Sequence, residues 1–531
     1  MCKSMDNILS YRNILSFFVK KEINGMKKED LKNELNSEVT RTENEMLVYE
    51  TSGSALTDFF FQTSSMRNMN EEEIYSVFLK AYAEDPILAL KMLFFLRDRE
   101  YGLGERRSFR IIFKKLVDSK NIECLIPWIP YYGRWDDILC LLDCDRIKGY
   151  VLDLIYNQLM LDISNMKRGA SISLLGKWLP SLTSKKQDYR KYASLIRKHM
   201  GLSAKEYRRL CKKLRSYLNV VETKISRNKW DEVNYNTVPS LANLLYRNAF
   251  LAHDEERRLN YLKDLSENKS NVKINAKELF AYDICSRYRR GGWRDLRSYD
   301  ETLELLWKGL PNYMPENDSA IVVADSSGSM FTRVGNSSVT AYDVAFSLAM
   351  YMSEHLKGEF KDSFITFSSR PKLVDMSKFK SLHDKMEYYD TIAEYSNTNI
   401  EKVFYLILNT ALKNNYTQEQ LPSNIIICSD MEFDMIAYDY NGHYNIPDFE
   451  GVKRRFENNG YFMPKLTFWN ILGRTNGVPL KQNKDGICFL SGFSQAIVDM
   501  AFSNKIDPYE VLIEKLESNR YKPIERELEY E

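Results

Sequence analysis

Two regimes of hydrophobic patterning divide the chain. Up to about residue 315, apolar residues recur at helical spacing. Asn70 stands before Glu71, Glu72 and Glu73, the pattern of a helix N-cap with acid in the first turn, and Ile74, Val77, Phe78 and Ala81 follow on one helix face. Asp85-Pro86 opens the next helix with proline where no intrahelical bond is lost. That helix, ILALKMLFFLRDR, is apolar on nearly every side until Arg97, as in a helix packed between others. Residues 109–118, 137–143, 150–162, 188–199, 203–218 and 238–251 continue the theme, and no strand alternation stands out. Many short helices in succession predict an α-helical, HEAT-like array without a fixed sequence period.

The pattern changes after the proline-containing run 310–318. Short continuous apolar runs follow at 320–324, 364–367, 425–428, 466–469 and 487–490, and helical stretches alternate with them. Buried strands alternating with helices predict a mostly parallel sheet covered on both faces, a Rossmann-like α/β fold. Residues 371–376 (PKLVDM) follow their strand too closely for a crossover and read as an antiparallel edge strand. The whole is a multidomain α and α/β protein. In such sheets the ligand site is expected at the carboxyl ends of the strands.

Composition narrows the function classes. The 531 residues carry 75 Lys+Arg against 73 Asp+Glu, so any nucleic-acid surface must be a local patch. The eight cysteines are scattered without a CxxC, which fits a reducing compartment, and Cys140 and Cys144 read as small buried hydrophobes one helical turn apart. None of the five histidines has zinc-site spacing. No run reaches 18 apolar residues, so no transmembrane helix and no membrane partner are expected. The first 40 residues read as an extension, without the cleavage site of a signal peptide. P-loop, GxGxxG and GxSxG motifs are absent. The expected location is the cytoplasm, with the nucleus equally compatible.

Chemistry concentrates at the predicted carboxyl edge. The strand at 320–324 runs into Asp325-Ser326-Ser327-Gly328-Ser329, a D-x-S-x-S turn. The strand at 425–428 runs into Ser429-Asp430, and Thr398 precedes the helix that begins near 399. Asp325, Ser327, Ser329, Thr398 and Asp430 give five hard oxygen donors from three loops, suited to Mg²⁺ or another divalent cation. A phosphoryl-transfer reading of Asp325 and Asp430 is weaker, because Ser327 stands where a second catalytic aspartate would be needed. No catalytic residue is assigned.

DSSGSM, the threonine of NTNIEKVF, and IIICSDMEFD resemble the metal-ion-dependent adhesion site of a von Willebrand factor A domain. The resemblance implies metal-dependent binding of a partner's acidic residue, and no catalysis. Further segments in order, among them LKMLFFLRDREYGLGERRSFR, IPYYGRWDDIL and LFAYDICSRYRRGG, resemble a family of plant, fungal, viral and bacterial proteins that pairs a helical domain with a C-terminal A-like domain. That architecture is distantly similar to the TROVE module of the Ro ribonucleoprotein. The expected division is an extension (1–40), a TROVE-like helical domain (41–315) and an A-like domain (316–531). The Ro likeness implies binding of single-stranded or misfolded small RNA.

The residues give that implication some support of their own. From Lys185 to Lys229 there are fifteen basic residues and three acidic ones. Arg190, Lys191, Arg197, Lys198, Arg208, Arg209, Lys212, Lys213 and Arg215 fall on two predicted helices with Tyr189, Tyr207 and Tyr217 interleaved, and Arg289 and Arg290 form a second cluster. Basic helices with aromatics suit a phosphate backbone with stacked bases, although solvated helix faces have the same composition. Arg97, Arg99, Arg106 and Arg107 form a third cluster. The reading is a non-enzymatic RNA-binding protein with a Mg²⁺-binding A domain. The alternative is a metal-dependent protein-interaction scaffold that binds no RNA.

Overall fold

The computed structural model describes residues 39–41, 47–290, 295–315, 319–335, 337–368, 370–392, 400–431, 449–473, 487–503 and 507–529. Most of the predicted extension and the site candidate Thr398 lie outside them. The elements used below are, in chain order, strands β1 (Val39–Arg41) and β2 (Leu47–Tyr49), then helices α1 (Ala55–Phe61), α2 (Glu71–Glu84), α3 (Pro86–Arg97), α4 (Arg107–Ser119), α5 (Lys148–Lys167), α6 (Gln187–His199), α7 (Ala204–Tyr217), α8 (Val221–Ile225), α9 (Ser240–His253), α10 (Glu255–Ser266), α11 (Ala281–Tyr288) and α12 (Glu301–Lys308). Strand β3 (Ala320–Asp325), α13 (Ala341–His355), β4 (Ser363–Phe367), β5 (Leu373–Asp375), α14 (Leu382–Ile392), α15 (Ile400–Asn414), β6 (Asn424–Ser429), α16 (Phe449–Asn458), β7 (Lys465–Asn470), β8 (Ile487–Ser491), α17 (Pro508–Leu516) and α18 (Lys522–Glu529) complete them. No helix of the described residues is long and apolar enough to cross a membrane.

The N-terminal region is mostly helical, and its boundaries follow the local signals. The Asn70 side chain accepts from the amides of Glu72 and Glu73 while the Glu73 carboxylate accepts from the Asn70 amide, a complete capping box at the start of α2. Asp85 accepts from Ile87 and Leu88 ahead of α3. Strands β1 and β2 form an antiparallel pair that periodicity did not reveal, because three residues each are too few to alternate.

The chain condenses into two compact units that do not follow its linear order. One contains the residues through Met92, Ala281–Arg297 and Asn312–Arg520; the other contains Leu93–Phe280, Ser298–Pro311 and Tyr521–Glu531. The sheet-containing unit therefore takes in α1, α2 and α11, which patterning alone groups with the helical domain. Phe61 at the end of α1 shows why. Its ring is buried in the sheet's own core, 5.0 Å from the ring of Phe489 on β8.

In the helical unit, one apolar core gathers Val221, Val233, Phe250, Tyr261 and Leu305. Arg258 on α10 is buried there. Its guanidinium lies 4.9 Å from the ring centre of Tyr235 and 5.3 Å from those of Phe250 and Tyr261. Its nitrogens donate to Asn243 and Thr302, so ring faces and neutral acceptors replace water around the charge. A second buried charge cluster joins α3 and α4 to the turn at 133–137. Arg97 Nε donates to Asp137 Oδ2 at 2.8 Å and Arg110 Nε to Asp137 Oδ1 at 2.8 Å. A Cβ at Gly133 would lie 2.5 Å from Asp137 Oδ2, so only glycine fits beside the pair.

The sheet has six strands in the order β5-β4-β3-β6-β7-β8. Neighbours are parallel except β4 and β5, which bears out the antiparallel edge strand expected from PKLVDM. Every residue of β3 and β6 is buried, as their continuous apolar runs require when helices cover both faces. Counting outward from β3, the order is that of a doubly wound sheet, and the connections reverse direction between β3 and β6.

Candidate functional site

Two parallel strands either side of that reversal deliver the predicted oxygens. In the register, Ala324 of β3 lies opposite Cys428 of β6, so Asp325 and Ser429-Asp430 leave the sheet side by side. Asp325 and Asp430 are 1% and 2% exposed. Asp325 Oδ1 accepts from the Ser327 amide at 2.8 Å, which folds the D-x-S-x-S turn back on itself, and the Ser327 and Ser329 hydroxyl oxygens are 3.0 Å apart. Gly328 at the tip is exposed and Ser329 half-buried, so this turn is open to solvent on one side. The structure thus gathers Asp325, Ser327 and Ser329 in one turn and sets Asp430 at the adjacent strand end.

Ser429 belongs to the same cluster, although no motif in the sequence assigns it a role. Its hydroxyl donates to Asp325 Oδ2 at 2.5 Å and accepts from the Met431 amide at 3.1 Å. Met431 is buried with φ 64°, a left-handed conformation that costs a non-glycine residue free energy and marks a sharp turn after Asp430. The visible signal is the Ser-Asp pair at a strand end; which of the two orients the other carboxylate depends on the β3–β6 register.

A second feature missed in sequence runs along the same carboxyl edge. Asn470, at the end of β7, donates to the Phe61 carbonyl at 2.9 Å, and the Ser491 hydroxyl is 3.0 Å from that of Ser64. Asn68 accepts from the Gly335 amide at 3.0 Å, and the Arg67 guanidinium lies 3.8 Å from the ring centre of Phe493. Residues 61–68 therefore run along the carboxyl ends of β7 and β8, placed there by the burial of α1.

Two carboxylates and two hydroxyls make an all-oxygen donor set, the chemistry of a hard cation such as Mg²⁺. A separate group, His383, Asp384 and Glu387 on α14, brings ligand atoms within 4.8 Å of one another. His383 Nε2 is 2.9 Å from the Arg297 carbonyl, and Nδ1 lies 3.7 Å from Asp384 Oδ1.

The predicted RNA-contacting cations separate into two kinds. Arg190, Lys191, Lys198, Arg208, Arg209, Lys212, Lys213 and Arg290 are exposed. Lys191 pairs with Asp143 at 2.7 Å; burial pushes the Asp143 carboxyl up, but the bonds from Lys191 and Tyr192 outweigh it and hold the carboxyl below its usual range. Arg197 and Arg215 are braces. Arg197 donates to the Leu202 carbonyl at 2.6 Å, and Arg215 donates to the carbonyls of Gly176 and Leu179.

Arg289 is a correction. Its side chain is 8% exposed and donates to Asp343 at 2.8 Å and to both oxygens of Asp390 at 2.5 and 3.0 Å, tying the end of α11 to α13 and α14. It is a structural clasp, sealed from any RNA. Arg97 leaves the third cluster for the same reason. Tyr207 is likewise buried, its hydroxyl on the Pro180 carbonyl at 2.9 Å. Tyr217 is 38% exposed. It borders a cavity of about 370 Å³ with Met166, Lys167, Lys213 and Ser216. Burial pushes the Cys140 thiol up to about 12 and raises that of Cys144, the opposite of the shift that activates a thiolate.

Comparison with known proteins places these features without assigning them a role. Residues 319–527 match a domain of unknown function (DUF7788). Residues 42–119 and 185–310 match another domain of unknown function (DUF2828). Over 527 residues the chain is 28% identical to an uncharacterized protein, L728, of Acanthamoeba polyphaga mimivirus, covering 91% of this chain and 88% of that protein.

Proposed function

We propose that this chain is a non-enzymatic RNA-binding protein of Ro-like architecture, with a HEAT-like helical region that carries the RNA and a von Willebrand A-like region that binds Mg²⁺. The observation that carries the reading is the run of exposed cations on α6 and α7: Arg190, Lys198, Arg208, Arg209, Lys212 and Lys213 share those two helices. Among the described residues, no ion pair occupies Lys198, Arg208, Arg209, Lys212 or Lys213. Cations without an ion pair on adjacent helical turns create a local field that a polyanion relieves. The exposed ring of Tyr217 adds a surface on which a base can stack.

The test is fluorescence anisotropy of the full chain with a hairpin RNA bearing a single-stranded 3′ tail, at two salt concentrations. Binding is expected to weaken as salt rises. The variant Arg209→Glu, Lys212→Glu, Lys213→Glu is expected to lose at least about tenfold in affinity. Arg215 is left intact, because reversing it would disturb the carbonyls it braces. Salt-independent binding, or none, overturns the reading.

A second reading follows from the buried oxygen cluster at the β3–β6 edge. There Asp325, Ser327, Ser329 and Asp430, joined by Thr398, would hold the cation, and an acidic side chain of a protein partner would complete its shell. In that case Asp325→Ala abolishes capture of a protein partner and leaves nucleic-acid binding untouched.

A further inference from the structure

Positive charge is concentrated on one side of α7. Arg208, Lys212 and Arg215 lie at i, i+4 and i+7, so their side chains line one flank of the helix, next to the buried stripe Tyr207, Cys211 and Leu214. Against that flank lies α8 with the turn that follows it, and between them is a groove of about 220 Å³. Arg208, Lys212, Arg215 and Arg227 converge on it, with the hydroxyls of Thr223 and Ser226, and no carboxylate is among its lining residues.

The four cations are unequally committed. Arg215 is anchored by Nε and Nη2 to the carbonyls of Gly176 and Leu179, and Arg208 spends Nε on the Ala204 carbonyl at 3.1 Å. Lys212 and Arg227 have no ion-pair partner among the described residues. Arg215 is thus a fixed wall of positive charge, and the donors of Lys212 and Arg227 are available to a ligand. Four like charges around one small groove repel one another, and the ligand that relieves this best is compact and carries two negative charges. A phosphate monoester has both properties, with three terminal acceptor oxygens for several donors. A backbone diester has one charge and two free oxygens, and fits the exposed crest of α7 better than this recess.

We propose that the groove between α7 and α8 is a pocket for a phosphate dianion, filled by the terminal phosphate of a bound RNA. The assignment of RNA as its source rests on the function proposed above. The chemistry also admits a free phosphate or a nucleoside monophosphate, and the experiment separates these sources.

Anisotropy of the full chain is measured with one RNA sequence in three forms: 5′-phosphate, 3′-phosphate and both ends hydroxyl, with the dye placed internally. One phosphorylated form is expected to bind about tenfold more tightly than the hydroxyl form. Arg227→Ala is expected to erase that preference while binding of the hydroxyl form stays within about twofold, and Arg227→Lys to restore part of it. Circular dichroism checks that both variants fold. Inorganic phosphate and adenosine monophosphate are titrated both as competitors of the labelled RNA and, by calorimetry, directly into the RNA-free chain and its Arg227→Ala variant. If all three RNAs bind alike and respond to salt, the pocket is overturned and the RNA reading stands. If no RNA binds but the free phosphates bind in an Arg227-dependent way, the pocket stands and its RNA source is overturned. If neither binds, both fall.

Discussion

The helical unit displays its candidate functional charges, and the sheet unit encloses them. On α6 and α7 the relevant groups are mostly exposed cations along two helices, some of them anchored to backbone carbonyls and others, such as Lys198, Lys212 and Lys213, without an ion pair among the described residues. At the β3–β6 edge they are carboxylates carried inward by strand ends, with Asp325 held by the Ser327 amide on one oxygen and the Ser429 hydroxyl on the other. The first arrangement suits a long, flexible polyanion that can be met at many points. The second suits a small ion whose ligands must be pre-positioned. Each unit also contains a counterexample: the arginines Arg97 and Arg289 are buried and locked to carboxylates. Positive charge is therefore available for binding only where no acidic side chain of the same unit has claimed it.

The largest expected effect tests that distinction directly. Arg289→Ala leaves Asp343 and Asp390 buried without their shared cation and is expected to cost about 3–5 kcal/mol, read from chemical denaturation. Its neighbour Arg290 is 57% exposed, and Arg290→Ala is expected to stay within about 0.5 kcal/mol. Equal effects would erase the line drawn between clasp and surface charge.

The enclosed site gives the next effect. If Ser429 orients Asp325 toward a cation, Ser429→Ala should weaken Mg²⁺ binding by about 10–100-fold in calorimetry. Asp325→Ala should remove the binding heat altogether. Unchanged Mg²⁺ affinity in Ser429→Ala would show that the short bond at this edge only packs the strands.

The smallest effect concerns acid. Burial pushes the Asp137 carboxyl up, but Arg97 and Arg110 outweigh it and hold it below its ordinary value of 3.8. Because the folded-state value is the lower one, its stabilisation is fully present above that ordinary value. It is lost as pH falls through the depressed folded-state value. The helical unit should therefore unfold at progressively lower denaturant as pH drops below about 4. Asp137→Asn, although less stable at neutral pH, should show a flatter dependence over that window. An unchanged slope would mean that other carboxylates govern acid unfolding.

The candidate oxygen site is largely legible in the sequence because a strand end is a local signal. A continuous apolar run such as AIVVA marks where a buried parallel strand stops, and the residues just beyond it emerge at the carboxyl edge. Asp325, Ser327, Ser329 and Asp430 can be chosen on that ground. Ser429 cannot, because its bond to Asp325 depends on the register between strands separated by about a hundred residues of chain. The basic helices are legible as amphipathic helices, but not as a binding face. Tyr207 and Tyr217 occupy the same helix, and only packing decides that one is buried and the other exposed.

The sequence alone therefore determined the helical and α/β regimes, the caps of α2 and α3, the antiparallel edge strand and the placement of Asp325, Ser327, Ser329 and Asp430 at adjacent strand ends. All of these rest on patterns within one element or its immediate flanks. Tertiary structure decided that α1 and α11 join the sheet unit and that residues 61–68 run along its carboxyl edge. It also decided that Arg289 is a clasp while Arg290 faces solvent, and that four cations surround one groove beside α7. Burial and charge pairing are set by neighbours distant in the chain, and composition at a single position carries no record of them.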